Sequence, residues 1–342
     1  MKILILKPSS LGDVVHALPV LRMLKRHRPE SEIFWWINED LAPLLEDDPD
    51  LSGRFVFNRR NWNLGNGGIR ALRGIQAMRR EQFDVALDLQ GLSRSAVVAW
   101  LSGAETVIGL EHTREGAGMA YDVTAARVPW ETLATERYLS VLPLLGVPVR
   151  WDFEWLPVRK KVAARVREQA QAKPGRWVML LPGARWDNKR WPVELYAQTV
   201  KLLAARDSGL SFAVLGARSD SPLAESIVRT APERCLNLTG RTSLPEMIEW
   251  LRLADAVIAN DTGPLHIAAA LGRPLVPIYG PTNPRRTGPH GQVNDVLQAR
   301  DLECVPCMKD SCSHREPLAC LRAITPEQVC ERTTVLLAMP KK

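Results

Sequence analysis

Residues 256–272 read AVIANDTGPLHIAAALG, and this stretch decides the fold. The apolar run 256–259 predicts a buried strand, and the run after the turn predicts a short helix that ends at Gly272. Gly263 lets the backbone turn sharply, and Pro264 suits the first helical position because its missing N–H needs no partner there. A strand, a tight turn and a helix in this order are typical of a parallel α/β sheet.

The turn at residues 260–266 is predicted to hold a nucleotide diphosphate. The backbone N–H groups at the start of the following helix have no helical partner and attract anions. Asp261, Thr262 and His266 add a carboxylate, a hydroxyl and a ring donor around the same point. A capping aspartate and a core histidine are the ordinary explanations for each residue alone, but they explain the combination less well.

The composition is that of an ordinary globular protein. Of the 342 residues, 46% are hydrophobic and 24% are charged. There is no run of about 18 apolar residues and no signal-peptide pattern, so we expect a cytoplasmic protein without a membrane span. The net charge of +7 suits an anionic partner. No nucleic-acid-binding motif accompanies this charge, and we expect no nucleic acid partner.

Strands and helices alternate along both halves of the chain, which predicts two doubly wound parallel sheets in the α/β class. The predicted strands lie at residues 2–7, 32–37, 55–57, 83–89 and 107–109 in the first half and at 177–181, 211–215, 236–238, 256–259 and 275–279 in the second. We predict domains at 1–155 and 156–325, followed by a C-terminal helix within 326–342 that packs back on the first domain.

Four loops at predicted strand ends carry specific sequences. They read KPSSLGDVVH at 7–16, DLQGL at 88–92, PGA at 182–184 with KRWP at 189–192, and NDTGPLH at 260–266 with YGPT at 279–282. With these loops the chain resembles the lipopolysaccharide heptosyltransferases of glycosyltransferase family 9, from residue 1 to about 335. The resemblance implies the GT-B architecture, in which two Rossmann-like domains face each other across a cleft.

The resemblance also implies a reaction. Such enzymes transfer heptose from ADP-heptose, with inversion, to the inner core of lipopolysaccharide, on Kdo-lipid A or on heptosyl-Kdo-lipid A. Asp13 matches the family's catalytic base, although an aspartate at this position could equally cap a helix. Its location near a helix start lowers its pKa, so the base would be weak unless the proton moves late.

Several further residues are implied as ligands of the substrates. Lys189 matches the family's phosphate-binding lysine and would neutralise the departing pyrophosphate, so no obligatory metal is expected. On the donor side the resemblance also implies Asp261, Thr262, Gly263, His266 and, at the place of a ribose-binding glutamate, Asp220. The acceptor-side loops contribute Ser9, Ser10, Gly12 and Gln90.

The resemblance covers two successive enzymes. The first half is closer to heptosyltransferase I, which is slightly favoured, and the loop at 182–192 is closer to heptosyltransferase II. Paired threonines of one family branch are replaced here by Ala184 and Arg185. Because few residues of this sequence are assigned to contact the sugar itself, another nucleotide sugar is an alternative donor.

A cysteine cluster follows the last predicted strand. Cys304, Cys307, Cys312 and Cys320, with His314 among them, have a spacing that could hold a structural zinc. Free or oxidised thiols are equally open. We expect no catalytic role because the cluster lies after the donor half and does not line the end of a strand.

Two other functions fit the sequence less well than glycosyl transfer. A nicotinamide-dependent oxidoreductase is disfavoured because the first strand leads into Ser9–Asp13 without a G-x-G-x-x-G turn, and Gly65-x-Gly67-Gly68 lacks the required strand. A non-catalytic binding protein is disfavoured because Asp13 and Lys189 are both present. Basic helix faces at 22–28 and 69–80 could contact phosphorylated lipid A or the inner membrane surface, although most such faces are simply solvated.

Overall fold

The chain forms two compact units, Met1–Pro157 and Val158–Lys342. This computed structural model describes residues 1–58, 66–173 and 175–340. The division between the units lies two residues after the boundary expected from the sequence. Gly65, the first glycine of the Gly65-x-Gly67-Gly68 stretch, lies outside the described residues. Among the described residues, no helix is both long enough and apolar enough to cross a membrane.

The first unit is built on a six-stranded sheet in the order β3-β2-β1-β4-β5-β6, with all neighbours parallel. This is the strand order of a doubly wound dinucleotide-binding fold. The strands are β1 Lys2–Leu6, β2 Glu32–Asn38, β3 Gly53–Phe57, β4 Val85–Asp88, β5 Thr106–Gly109 and β6 Val123–Thr124. The helices are α1 Leu11–His27, α2 Asn66–Glu81, α3 Ser93–Leu101 and α4 Ala134–Leu139.

The second unit has a five-stranded parallel sheet in the order β11-β10-β7-β8-β9. Its strands are β7 Arg176–Leu181, β8 Leu210–Val214, β9 Cys235–Asn237, β10 Ala256–Asn260 and β11 Leu275–Ile278. Its helices are α5 Lys160–Ala170, α6 Val193–Arg206, α7 Ser221–Val228, α8 Leu244–Arg252, α9 Gly263–Ala270, α10 Pro284–Thr287, α11 Ala319–Arg322 and α12 Pro326–Ala338. The order of strands reverses between β7 and β10, which is where ligands bind in such sheets.

The last helix belongs to the second unit rather than forming a separate segment. α12 contacts α6 and the strands β10 and β11. Val329, Cys330 and Leu336 of α12 are buried in the same core as Val200 and Leu203 of α6. Thr325 caps α12, because its side chain accepts a hydrogen bond from the Gln328 N–H, as the capping pattern predicts.

Helix α1 begins three residues earlier than the apolar pattern indicates. Ser10 is its N-cap, and Asp13 lies in its first turn. Contact of the basic face at 22–28 with a membrane stays a prediction, but one of its cations is not exposed. Arg22 is buried, where its guanidinium donates to both carboxylate oxygens of Asp48 at 2.6 and 2.5 Å. Lys25 and Arg28 donate to backbone carbonyls of the same unit, and so does Arg26, although its side chain remains half exposed.

Candidate active site

In the first unit, the turn between β1 and α1 presents Asp13. Ser10 donates two hydrogen bonds to Asp13 Oδ2, from its backbone N–H at 3.2 Å and from its hydroxyl at 2.8 Å. Tyr138 of α4, 125 residues away in sequence, donates its phenol O–H to Asp13 Oδ1 at 2.9 Å. Asp13 is therefore held by both of its oxygens and partly fills the structural role of a capping residue.

The electrostatic environment keeps Asp13 ionised. Burial raises the pKa of the carboxyl, but the charge of Lys7 and the hydrogen bonds from Ser10 and Tyr138 outweigh burial and lower the pKa well below its usual range. Lys7 is buried directly after the end of β1, with Nζ 4.8 Å from the ring centroid of Tyr138. Burial lowers the pKa of the Lys7 ammonium, yet Tyr138 and Asp13 raise it overall. The site thus contains an ammonium and a carboxylate that each favour the charged form of the other.

The second acceptor-side loop follows β4. Asp88 Oδ1 accepts hydrogen bonds from the backbone N–H groups of Gln90 at 2.9 Å and Gly91 at 3.2 Å. Gly91 has a φ of +69°, a conformation that favours glycine. This turn carries Gln90, whose side-chain Oε1 is buried and has no hydrogen-bond partner among the described residues. A buried amide oxygen without a partner is costly, so it is an acceptor suited to a substrate hydroxyl.

The other two predicted residues on this side lie in the turn that leads into α1. Gly12 is buried in the first turn of the helix, whereas Ser9 is half-buried just before the cap. Ser10 differs from both because its side chain is committed to Asp13.

In the second unit, Asp261 lies at the centre of the predicted phosphate turn. Its Oδ2 accepts hydrogen bonds from Lys189 Nζ at 2.7 Å and from Thr282 Oγ1 at 2.6 Å. His266 Nε2 lies 3.8 Å from Asp261 Oδ1. Burial raises the pKa of Asp261, but His266 and Lys189 outweigh it and hold the pKa well below its usual range. Lys189 and Asp261, predicted independently, are thus a buried ion pair.

The helix after this turn begins one residue earlier than expected. Thr262 is the N-cap of α9 and Gly263 its first residue, so Pro264 occupies the second helical position, where its missing N–H is also free of cost. Pro264 has no N–H, and the Leu265 N–H donates to the Thr262 carbonyl at 3.1 Å. The N–H groups of Thr262 and Gly263, at the start of the helix, are therefore the ones that can attract an anion next to the Lys189 ammonium. The charge of Asp261 faces Lys189, Thr282 and His266, so Asp261 positions the cation and need not contact the phosphates itself.

Asn260 attaches the loop that carries Lys189 to the sheet. The sequence did not predict Asn260 as a site residue. Its amide donates to the Pro182 carbonyl at 2.7 Å, and its Oδ1 accepts from the Trp191 N–H at 3.2 Å and the Tyr196 hydroxyl at 3.1 Å. The loop at 182–192 is therefore attached at both ends to the last residue of β10.

Three further residues, Tyr138, Lys7 and Thr282, were also not predicted as site residues from the sequence. A lysine at the end of a buried strand is a usable signal for Lys7, whereas Tyr138 offered none.

Asp220 lies beyond the carboxyl end of β8, against two glycines. Its Oδ2 accepts a hydrogen bond from the Ala217 N–H at 2.9 Å. A Cβ atom on Gly183 would lie 2.4 Å from Asp220 Oδ2, and one on Gly216 would lie 2.7 Å from it. Both positions therefore require glycine so that this carboxylate can reach the backbone. Its role toward a ribose stays a prediction.

The cysteine cluster gathers around one pocket. Cys304, Cys307, Cys312 and Cys320 line this pocket together with His314. Within residues 1–58, 66–173 and 175–340, no three side chains of the ligating types are arranged to hold a metal ion, so structural zinc stays a prediction. The cysteine-containing loop also contacts the loop that carries Lys189, because the Lys309 carbonyl accepts a hydrogen bond from the Asn188 amide at 3.0 Å. Cys235 and Cys330 are buried thiols, as expected.

Comparison with known proteins identifies the family of this chain. The model of glycosyltransferase family 9 (heptosyltransferase) matches residues 71–317. Lipopolysaccharide heptosyltransferase 1 of Pseudomonas aeruginosa is 28% identical, over 100% of this chain and 99% of that protein. Lipooligosaccharide heptosyltransferase 2 of Haemophilus influenzae is also 28% identical, over 99% of this chain and 100% of that protein.

Solved structures show the same fold. ADP-heptose lps heptosyltransferase II of E. coli is 25% identical, with a TM-score of 0.79 and 98% of each chain covered. E. coli heptosyltransferase WaaC with ADP is 25% identical, with a TM-score of 0.78 over 98% of this chain and 100% of that one. These neighbours agree with the α/β class and with two doubly wound domains of the GT-B type.

Proposed function

This chain belongs to glycosyltransferase family 9, the heptosyltransferases, and from that premise we propose that it transfers heptose from ADP-heptose to the inner core of lipopolysaccharide. The observation that carries the proposal is the Lys189–Asp261 ion pair beside the first turn of α9. The family assignment replaces the oxidoreductase alternative. Kdo-lipid A and heptosyl-Kdo-lipid A are the two candidate acceptors, and relatives acting at either step match this chain at equal identity.

The donor half of the proposal assigns a task to each group. The first turn of α9, with Thr262 and Gly263, would bind the pyrophosphate through backbone N–H groups. Lys189, held by Asp261, would neutralise the charge that develops as ADP leaves. Asp220 would hold the ribose hydroxyls. Because a fixed ammonium supplies the positive charge, we propose that transfer needs no divalent metal.

The acceptor half of the proposal assigns the base to one atom. An ionised carboxylate has about four lone-pair sites. Ser10 uses two of them on Oδ2, and Tyr138 uses one on Oδ1. The remaining site is on Oδ1, so Asp13 Oδ1 would receive the proton of the acceptor hydroxyl. Tyr138 and Lys7 are positioning residues in this scheme.

The weak basicity of Asp13 sets the order of events. The acceptor oxygen attacks the anomeric carbon while the bond from that carbon to the phosphate oxygen breaks, and ADP leaves with the electron pair. As the new bond forms, the acceptor oxygen becomes positively charged and strongly acidic, and only then does its proton pass to Oδ1. A carboxylate with a depressed pKa is sufficient for such a late transfer, and it avoids premature protonation at neutral pH.

Two further parts of the proposal concern partners and metals. A lipid-linked acceptor would place the protein in the cytoplasm, in peripheral contact with the inner membrane surface, and without a nucleic acid partner.

The pocket lined by Cys304, Cys307, Cys312 and Cys320 is a candidate for a structural zinc. One zinc per chain in elemental analysis of the purified protein would support that assignment, and its absence from a folded, active protein would refute it.

The decisive test is ADP release from ADP-heptose with each acceptor supplied separately. We expect release with one acceptor and loss of release in Asp13→Asn, whose amide cannot take the proton. Asp40→Asn, an exposed aspartate of the same unit, is the matched control and should retain full activity. No release with either acceptor from a folded protein would reject this donor–acceptor assignment, and an Asp13→Asn variant as active as the parent would reject the base.

A further inference from the structure

The exposed surface of α2 and α3 combines large apolar side chains with arginines. The solvent-exposed fractions are 54% for Ile69, 67% for Leu72, 50% for Val97, 66% for Trp100 and 92% for Met119. Isolated exposed apolar residues are normal, but these belong to neighbouring elements. α2 contacts α3, and α3 contacts the turn Ala117–Ala120 that carries Met119. We call this surface the α2–α3 face.

Arginines lie among these apolar side chains. Arg73, Arg79 and Arg80 are exposed on α2, and Arg94 is exposed on α3. A Cβ atom on Gly103, just after α3, would lie 3.5 Å from Arg79 Nε, so Arg79 reaches across to the end of α3 next to Trp100. This contact adds to the packing of α2 against α3.

The positive charge of the α2–α3 face is local. Residues 1–157 contain 18 lysines and arginines against 20 aspartates and glutamates, so the first unit is net negative. The single acid in the sequence of α2, Glu81, is bound by Lys2 Nζ at 3.1 Å. The second basic surface considered from the sequence, at 22–28, is engaged by its own unit, since Arg22 binds Asp48. Four exposed arginines thus lie where apolar side chains are exposed, together with one acid, Glu115, which accepts a hydrogen bond from the Ser93 hydroxyl at 2.8 Å.

We propose that the α2–α3 face docks on an anionic membrane leaflet. Helices that lie in a membrane interface mix apolar anchors with Lys or Arg, and tryptophan prefers this depth. Arginine stems can extend along the apolar surface while the guanidinium groups reach lipid phosphates. A second copy of this chain fits less well, because a two-fold symmetric contact would bring the same arginine-rich patch together from both chains. The inference rests on the proposed function only for the reason a membrane is needed, namely a lipid-linked acceptor.

Vesicle flotation of the full chain tests the docking surface without donor or acceptor. We expect binding to phosphatidylcholine vesicles that contain phosphatidylglycerol, and little binding to phosphatidylcholine alone. Arg73→Gln and Arg80→Gln should each weaken binding about five-fold, corresponding to about 1 kcal/mol per basic residue near an anionic surface. Leu72→Ser and Trp100→Ala should each weaken it roughly ten-fold, because each removes an apolar anchor.

Matched controls come from the same unit. Leu144→Ser removes an exposed leucine and Arg127→Gln an exposed arginine, both outside the α2–α3 face, and both variants should bind like the parent. Absence of parent binding to the anionic vesicles, or equal losses in face and control variants, would overturn the proposal. A face variant that binds vesicles normally but changes a dimer into a monomer in sedimentation would also overturn it, because the face would then join copies of the chain.

The outcome is separable from the proposed function. Face variants should release ADP normally when the acceptor is dispersed in detergent, because no residue of the face is assigned to the active site. A protein that transfers heptose but ignores vesicles rejects only the docking surface. A protein that binds anionic vesicles but releases no ADP with either acceptor rejects only the proposed reaction.

Discussion

Lys189 Nζ lies 2.7 Å from Asp261 Oδ2, although 72 residues separate the two in sequence. The lysine comes from the loop after β7 and the aspartate from the turn after β10, and these two strands are neighbours in the sheet. The pair is largely buried, with exposed side-chain fractions of 17% and 6%. It is therefore both a structural contact and the centre of the proposed donor site, and the two roles can be separated by mutation.

Lys189→Met should cost both stability and activity. The variant leaves the buried Asp261 carboxylate without its cation, and we expect a loss of about 2 kcal/mol in the free energy of unfolding. Without the ammonium, we expect kcat to fall roughly 100-fold or more, as when an electrostatic donor to a transition state is removed. Denaturant unfolding and steady-state ADP release measure the two effects.

The double variant Lys189→Met with Asp261→Asn is the control for that prediction. It removes the buried charge as well as its partner, so stability should recover toward that of the parent while activity stays low. Recovery of activity in the double variant would contradict a direct role of Lys189 at the pyrophosphate.

Tyr138→Phe should change the pH dependence of transfer. The Tyr138 hydrogen bond lowers the pKa of Asp13, so its loss should move the acid limb of the kcat/KM profile to higher pH. The carboxylate would also be less well oriented, and we expect roughly ten-fold lower kcat. The profile is measured by ADP release from neutral pH down through the ordinary aspartate pKa of about 3.9.

Tyr121→Phe is the matched control because its hydroxyl also donates to an aspartate of the first unit, Asp88 Oδ2, at 2.8 Å. This variant should leave the acid limb unchanged. A shift of equal size in both variants would show that the effect does not act through Asp13.

Asp261 should make the second unit acid-sensitive. Its pKa in the folded protein is depressed, so the stability it contributes is fully present above the ordinary aspartate pKa of about 3.9 and is lost as the pH falls below that value. Asp261→Asn should therefore be less stable than the parent at pH 7, and the difference should shrink below about pH 4. Urea unfolding across this range checks the sign, and a difference that grew on acidification would contradict it.

Gly183→Ala should disturb the donor half through Asp220. The new Cβ would lie 2.4 Å from Asp220 Oδ2, so the carboxylate must move, at a cost of about 1–3 kcal/mol of stability. We expect a raised KM for ADP-heptose together with a lower melting temperature. Unchanged donor KM in a folded Gly183→Ala protein would argue against a ribose contact by Asp220.

Gly74→Ala on α2 is the matched control for the glycine prediction. A Cβ atom there meets nothing within 4 Å. Alanine also favours the helix interior by about 1 kcal/mol, so this variant should be as stable as the parent or slightly more so, with unchanged donor KM.

Much of the fold follows from local patterns. The apolar runs predicted ten strands near their observed positions. Helix α8 begins with the local capping pattern Ser243-x-x-Glu246, in which the Ser243 N–H and hydroxyl both donate to Glu246 Oε2. Short elements without periodicity were missed, among them β6 and α4. Of these, α4 matters most for the site, because it carries Tyr138, whose hydroxyl donates to the proposed base.

The sequence by itself determined the alternation of strands and helices, the four loops at strand ends and the residue types available in them. These features depend on neighbours within a few residues, because side-chain periodicity and helix caps are local. The tertiary structure decided which groups meet: Tyr138 with Asp13, Lys189 with Asp261, and Asn260 with the loop that carries the lysine. These contacts depend on strand order and on how deeply each charge is buried, and local sequence patterns specify neither quantity.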